Sequence, residues 1–117
     1  MTGFTPLSGV SGYAAAKAAV INQTKAAAQD FGPYGINVNA LAPGFFLTDQ
    51  SRPLLLDTTT GNPNQRGQEI LGRTPFGRFG EPKELCGIAL LLAGEQAGSF
   101  ISGAIIPVDG AFLCDNI

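Results

Sequence analysis

Two short apolar segments, each following helical sequence and each closed by a turn, constrain the fold of this chain most. The first, Ile36 to Ala42, alternates mostly apolar residues with asparagines and ends at Pro43-Gly44. The second, Ala104 to Val108, is apolar throughout and ends at Asp109-Gly110. Such segments are typical of strands. Because they alternate with helical sequence, they predict a parallel sheet of the α/β class.

The first helix is predicted from Gly12 to Phe31. Ser11 is its candidate N-cap, and Gly32, followed by a proline, is its candidate C-terminal glycine. Eight alanines lie between Ala14 and Ala28, and alanine has the highest helix propensity. A face this smooth also allows another helix or a sheet to approach closely.

The region from 43 to 80 is long and irregular. Thr48 is predicted to cap a short helix that starts at the next residue, and Pro53 should end or kink that helix. Asn62-Pro63 is predicted to start a second short helix that ends near Arg73. A connection of this length in a compact domain is usually functional or mobile.

A further helix is predicted to open at Glu81-Pro82 and to stop at Gly94. Apolar residues recur within it at helical spacing. Cys86 lies in this apolar stretch and is predicted to be buried.

Composition excludes several classes of function. A net charge of −2 and a pI near 4.8 argue against nucleic acid or an anionic membrane as a partner. Neither a membrane span nor a signal peptide is recognisable. Histidine is absent, and Cys86 and Cys114 are too few and too far apart for a metal knuckle, so no metal is expected. A reducing compartment, the cytoplasm, fits this cysteine usage best.

Tyr13 and Lys17 are four residues apart in the predicted first helix, so their side chains share a face. A free tyrosine is a poor acid or base at neutral pH because its pKa is near 10, and an ammonium group within a few Å favours the phenolate. On spacing alone, a solvated helical pair without a function is the more frequent explanation. Whether the pair is functional therefore has to be judged from the motifs around it.

Four motifs follow in order: Tyr13-x3-Lys17, then VNALAPG and FFLT up to Thr48, then GRFGEP, and finally SGAIIPVDG. Together they resemble the C-terminal half of a short-chain dehydrogenase/reductase, closest in look to sugar-acid members, the mannonate/fructuronate or gluconate oxidoreductases. The resemblance covers nearly the whole chain. It implies the C-terminal portion of a Rossmann-type doubly wound parallel sheet, with two strands and their helices.

The resemblance further implies one partial domain over 1–117. Segment 1–42 would carry the catalytic helix and a strand, 43–80 the cofactor turn and substrate lid, and 81–117 the C-terminal helix and strand. The family's dinucleotide glycine loop, catalytic serine and asparagine have no counterpart in this sequence. We therefore expect that the N-terminal dinucleotide-binding half is absent, that the isolated chain is inactive, and that the chain is a truncated, split or partial protein.

Residue roles follow from the same resemblance. Tyr13 matches the catalytic acid/base, and Lys17 matches the lysine that holds the nicotinamide ribose and assists the tyrosine. The cofactor, NAD or NADP in the full-length protein, would be lined by the Pro-Gly turn: Pro43, Gly44, Phe45, which offers its backbone N–H to the carboxamide, and Thr48.

The implied reaction interconverts a secondary alcohol and a ketone on a small molecule, a sugar acid such as mannonate/fructuronate. Arginine suits carboxylate recognition, and four arginines occupy the lid: Arg52, Arg66, Arg73 and Arg78. A solvated or helix-capping charge is the alternative for each.

The implied partners are further copies in a homo-oligomer or an N-terminal complementing half. The alternative function is a non-catalytic remnant or oligomerisation module. The sequence departs from the family's usual pattern at two places. It has Gly110-Ala111 where the family usually has Gly-Gly, and it has Pro53 in the lid helix.

Overall fold

The computed structural model describes residues 1–114; the last three residues of the predicted 81–117 segment lie outside this range. Its sheet consists of two parallel strands, β1 (Ala40–Pro43) and β2 (Ile105–Val108). Ala40 lies opposite Ile105, and Pro43 lies opposite Val108. The predicted parallel α/β arrangement is confirmed, but β1 begins four residues later than Ile36.

Two asparagines explain the late start of β1. The Asn37 amide donates to the carbonyl of Gly98 at 3.2 Å. The Asn39 amide donates to the carbonyl of Ile101 at 2.6 Å, and its Oδ1 accepts from the Ala104 N–H at 3.0 Å. Side chains thus provide part of the pairing that a strand would obtain from its backbone. Regular pairing begins only after the second asparagine.

Helix α1 spans Ser11–Phe31. The predicted N-cap at Ser11 is wrong, because Val10 occupies that position and no side chain caps the helix. The predicted stop is confirmed, since α1 ends at Phe31 and Gly32 is its C-cap, but this glycine is right-handed and begins a 3₁₀ turn that contains a proline in its first turn. The chain reverses at Gly35, whose φ of +72° suits glycine.

Helix α2 spans Arg52–Leu55, three residues later than predicted. The delay has a local cause: the Ser51 hydroxyl accepts from the Thr48 N–H at 2.8 Å, and the Thr48 carbonyl accepts from the N–H of Ser51. This turn occupies the residues expected to start the helix. Pro53 lies in the first turn of α2, where a missing N–H is tolerated.

Helix α3 spans Gln65–Gly72 and ends beside Arg73, as predicted. Its N-cap is Asn64 and not Asn62, because the Asn64 Oδ1 accepts from the Gly67 N–H at 2.9 Å. The preceding loop is ordered by the Asp57 carboxylate, which accepts backbone N–H bonds and whose pKa is thereby lowered.

Helix α4 spans Cys86–Ala93, follows a 3₁₀ turn at Pro82–Leu85 and stops at Gly94. The predicted stop at Gly94 is confirmed, but the α-helix begins at Cys86 and not at Glu81-Pro82, because the residues from Pro82 to Leu85 form the 3₁₀ turn. The prediction that Cys86 is buried is wrong, since its side chain is exposed. The reason is that little of the described chain covers α4. The helix is apolar on all its sides, yet none of its residues is buried.

The core is small. Its buried apolar residues come from α1, β1, α2, α3 and the 3₁₀ turn after β2: Ala14, Ala42, Leu55, Ile70 and Phe112. Several large apolar side chains are exposed instead, among them Leu90 and Phe100. Within residues 1–114, no helix has the length and apolarity needed to cross a membrane.

Candidate active site

Tyr13 and Lys17 lie in the first two turns of α1. The Lys17 Nζ is 5.4 Å from the centroid of the Tyr13 ring, within cation–π range. The Tyr13 side chain is 56% exposed. The predicted pair is thus formed, and the phenol is accessible to a ligand.

The Pro-Gly turn leaves the C-terminal end of β1 and is fixed against β2. The Gly44 N–H donates to the Val108 carbonyl at 2.8 Å. A Cβ at Gly44 would lie 2.6 Å from the Cα of Asp109. Because no side chain fits this gap, only glycine allows the turn to approach the neighbouring strand end so closely.

Beyond the turn, the chain pairs with the end of the lid. The Gly80 N–H donates to the Phe45 carbonyl at 2.8 Å, and the Leu47 N–H donates to the Gly80 carbonyl at 3.0 Å. The Phe45 ring packs edge-on against Phe112 with centroids 5.3 Å apart. Among the hydrogen bonds of the described part of the chain, the Phe45 N–H donates none. It is therefore available to a ligand.

Two cavities meet at this turn. One, of about 440 Å³, is lined by Tyr13, Pro43, Gly44 and Thr48. The other, of about 400 Å³, is lined by the same tyrosine, proline and glycine and by Lys17. The structure therefore brings together all the residues predicted to act on the cofactor, at the edge where α/β sheets bind their ligands.

Two of the four lid arginines lie together, and they lie apart from Tyr13. Arg66 and Arg73 line an open cavity of about 760 Å³ with Leu7 and Val10, just before α1. The Arg73 guanidinium carbon is 5.5 Å from the ring centroid of Phe112. Through this ring and Phe45, Arg73 is connected to the cofactor turn.

The other two arginines have different surroundings. Arg52 is exposed at the start of α2. Arg78 forms a two-pronged ion pair with Glu84, with Nη1–Oε2 at 2.9 Å and Nη2–Oε1 at 2.6 Å. The hydrogen bond from Arg78, together with one from the Glu81 N–H, lowers the pKa of Glu84 to about 2. This pairing directs the Arg78 guanidinium towards the protein itself.

Sequence reasoning missed two residues that lie near the turn. Gly80 was recognised only as part of a motif, and its pairing with the turn is long-range. Glu84 was not singled out, although Glu81 and Glu84 are three residues apart beside a proline, which is the pattern of a capping box. Both side chains of that box form their bonds in the structure.

Comparison with known proteins identifies the family. Residues 3–112 match the family model described as enoyl-(acyl carrier protein) reductase. The chain is 46% identical over 112 residues to an uncharacterised oxidoreductase of Haemophilus influenzae, covering 96% of this chain and 39% of that protein. It is 42% identical over 113 residues to the uncharacterised oxidoreductase UxuB of Bacillus subtilis, and the match covers 97% of this chain and 40% of that protein.

Solved structures agree with this assignment. A D-mannonate oxidoreductase candidate of Haemophilus influenzae, solved with bound NAD, superposes with a TM-score of 0.91 and 45% identity, over 99% of this chain and 41% of that one. A gluconate 5-dehydrogenase candidate of Beutenbergia cavernae, solved with bound NADP, superposes with a TM-score of 0.85 and 37% identity. This match covers 97% of this chain and 43% of that one. This chain thus spans about two fifths of these proteins and adopts the corresponding part of their Rossmann-type fold. It belongs to the short-chain dehydrogenase/reductase family.

Proposed function

We propose that this chain supplies the tyrosine–lysine side of the active site of an NAD(P)-dependent oxidoreductase that interconverts a secondary alcohol and a ketone on a sugar acid. One observation carries the proposal: Tyr13 lines both cavities at the turn after β1, and Lys17 lines one of them. The relatives solved with bound NAD or NADP support the choice of cofactor. Because the chain spans about two fifths of those relatives, the remaining parts of the site are proposed to come from an N-terminal complementing half.

The residues present fit a nicotinamide cofactor. The free N–H of Phe45 suits an acceptor such as a carboxamide oxygen, and the Lys17 ammonium suits ribose hydroxyls. The two cavities at Pro43 and Gly44, about 440 and 400 Å³, fall within the range of small-molecule sites. When bound, the cofactor would supply or accept the hydride.

The chain's own residues would handle the proton. In the reduction direction, the Tyr13 hydroxyl donates its proton to the substrate oxygen as the alcohol forms; in the oxidation direction, it accepts that proton. Lys17, one turn away, places its positive charge beside the phenol ring and would assist this proton transfer. Thr48 lines the 440 Å³ cavity together with Tyr13 and also holds the turn before α2 through Ser51. It would help to shape the cofactor site.

For the substrate, we propose that the lid arginines recognise a carboxylate. Arg66 and Arg73 are the better placed, because they line one cavity beside the residues that lead into α1. Arg52 and Arg78 are weaker candidates, since neither lines that cavity. The sugar-acid assignment of several relatives, for example gluconate 5-dehydrogenase of Gluconobacter oxydans at 39% identity, agrees with an acidic substrate.

A fusion tests the proposal. The upstream part of the Haemophilus influenzae relative is joined to this chain in place of the matching segment, and NADH and NADPH oxidation is followed with fructuronate and with a neutral ketose. We expect turnover of the acid. Arg66→Gln should raise KM for the acid about tenfold or more and leave KM for the neutral ketose unchanged, since a charged hydrogen bond contributes about 1.5–3 kcal/mol. A fusion that folds but oxidises neither cofactor contradicts the proposal.

Exposed apolar surface favours a second candidate, a non-catalytic oligomerisation module. Leu90 is 73% exposed on α4, and Phe100 is fully exposed shortly after it. Apolar patches of this kind mark interaction surfaces. In that case the fusion would assemble without turnover, and Tyr13 variants would behave as the parent chain does.

A further inference from the structure

The turn that follows β1 depends on a residue far along the chain for its conformation. It forms no helix or strand of its own beyond Pro43. Phe46 bridges to Gly80 in parallel fashion, through the Phe45 carbonyl and the Leu47 N–H. Gly80 therefore sets the position of the residues whose backbone is proposed to meet the nicotinamide.

Contact between Gly80 and the turn is very close. A Cβ at Gly80 would lie 2.6 Å from the Phe46 ring. A small displacement of Gly80 would thus move the ring and the two hydrogen bonds together. The local structure tolerates little change at this point.

The two residues of an ion pair flank Gly80 in the sequence. Arg78 lies two residues before it, and Glu84 lies four residues after it. The Arg78 Nη1 also donates to the Phe79 carbonyl at 3.1 Å. The Glu84 Oε2 also accepts from the Glu81 N–H at 2.8 Å. The two side chains thus bind each other and the backbone on both sides of the glycine.

We infer that Arg78 and Glu84 are positioning residues that fix the turn from Pro43 to Thr48 through Gly80; the link to cofactor binding rests on the proposed function. Both side chains line a small cavity of about 100 Å³ with Phe45 and Phe46, directly behind the turn. The two-pronged geometry suits arginine and not lysine. Because Arg78 lowers the pKa of Glu84, the pair stays charged throughout the neutral range.

The neighbouring ion pair offers a matched control. Lys83 Nζ lies 2.6 Å from Glu81 Oε2, on the same 3₁₀ turn. Lys83 neither contacts the backbone around Gly80 in the bonds of the described residues nor lines the cavity behind the turn. Lys83→Gln therefore removes one surface ion pair and leaves the turn in place.

Residue-resolved amide hydrogen exchange on the 117-residue chain tests the positioning. Arg78→Gln and Glu84→Gln should speed exchange of the Leu47 and Gly80 amides about three- to tenfold. Exchange of the Gly67 amide, which is held by Asn64, should not change, and Lys83→Gln should leave all three unaffected. Arg78→Lys, a milder variant that keeps the charge, should retain only part of the protection seen in the parent chain. If the Leu47 and Gly80 amides exchange as in the parent chain in every variant, the inference is wrong.

A second readout separates this inference from the proposed function. In the fusion, Arg78→Gln should raise KM for NAD(P)H about fivefold with kcat changed less than twofold, since it displaces a binding turn and no reacting group. Faster exchange with an unchanged cofactor KM would contradict the positioning role. If the parent fusion shows no turnover, the proposed function fails, and the exchange data alone decide whether the ion pair holds the turn.

Discussion

The ammonium nitrogen of Lys17 lies 5.4 Å from the centroid of the Tyr13 ring, one turn along the same helix. In the described part of the chain, no carboxylate forms an ion pair with this lysine. Its charge is therefore directed at the phenol and at the cavity beside it. This relationship between two side chains on α1 is the basis of the proposed chemistry.

Replacement of the lysine should damage two steps. In the fusion, Lys17→Met is expected to raise KM for NAD(P)H and to lower kcat about 100-fold or more, because the ammonium serves both the ribose and the tyrosine. Steady-state kinetics measure both effects. Lys25→Met, on the same helix but outside the two cavities, is the control. A change in KM alone would mean that the lysine does not assist proton transfer.

Ala111 is strained, and its replacement by glycine should stabilise the chain. Its φ of +68° is left-handed, a conformation that costs a residue with a Cβ about 1–2 kcal/mol. We expect Ala111→Gly to raise the free energy of unfolding by about 0.5–1 kcal/mol, measured by urea denaturation. The same substitution at exposed Ala26, inside α1, should instead destabilise by about 1 kcal/mol. Equal effects at both positions would refute the strain.

Acid should weaken the ion pair between Arg78 and Glu84. The pKa of Glu84 is lowered from 4.5 to about 2, chiefly by the hydrogen bond from Arg78. A lowered carboxylate pKa stabilises the fold above the unfolded value, and the effect is lost as pH falls through the folded value. The difference in Tm between the parent chain and Glu84→Gln should therefore be constant above about pH 5.5 and shrink between about pH 4.5 and 2. A difference independent of pH over this range would contradict the assignment.

The free edge of β1 should cause self-association of the 117-residue chain. In the described sheet, β1 pairs only with β2, and an unpaired apolar edge is a template for another chain. The N–H groups of Ala40 and Gly44 face β2, so that of Leu41 faces the free edge. Leu41→Pro should lower association without loss of a ladder bond. Sedimentation velocity at low micromolar concentration measures this, with circular dichroism as the check on folding. A parent chain that sediments as a monodisperse monomer would contradict the prediction.

The sequence was sufficient for features set by local chemistry. The parallel pairing and the C-terminal ends of α1, α3 and α4 were predicted correctly, because breakers and apolar periodicity mark them directly. The Tyr13–Lys17 pair and its position at the Pro-Gly turn also follow from spacing and family resemblance.

Features decided by distant partners were not predictable. Asn37 and Asn39 postpone β1 by bonding residues more than 60 positions away. Cys86 is exposed because little of the described chain covers α4. Gly80 supports the turn across a separation that no local pattern encodes.

The Tyr13 hydroxyl provides the most direct test of the account. In the fusion, Tyr13→Phe removes one oxygen atom and should lower kcat about 100- to 10,000-fold, the usual contribution of a general acid/base, while KM for NAD(P)H stays within about twofold. Tyr34→Phe, which removes the same atom from an exposed tyrosine on the turn after α1, should leave kcat unchanged. If Tyr13→Phe retained more than about a tenth of the parent kcat, Tyr13 would not be the proton-transferring residue, and the central claim would be wrong.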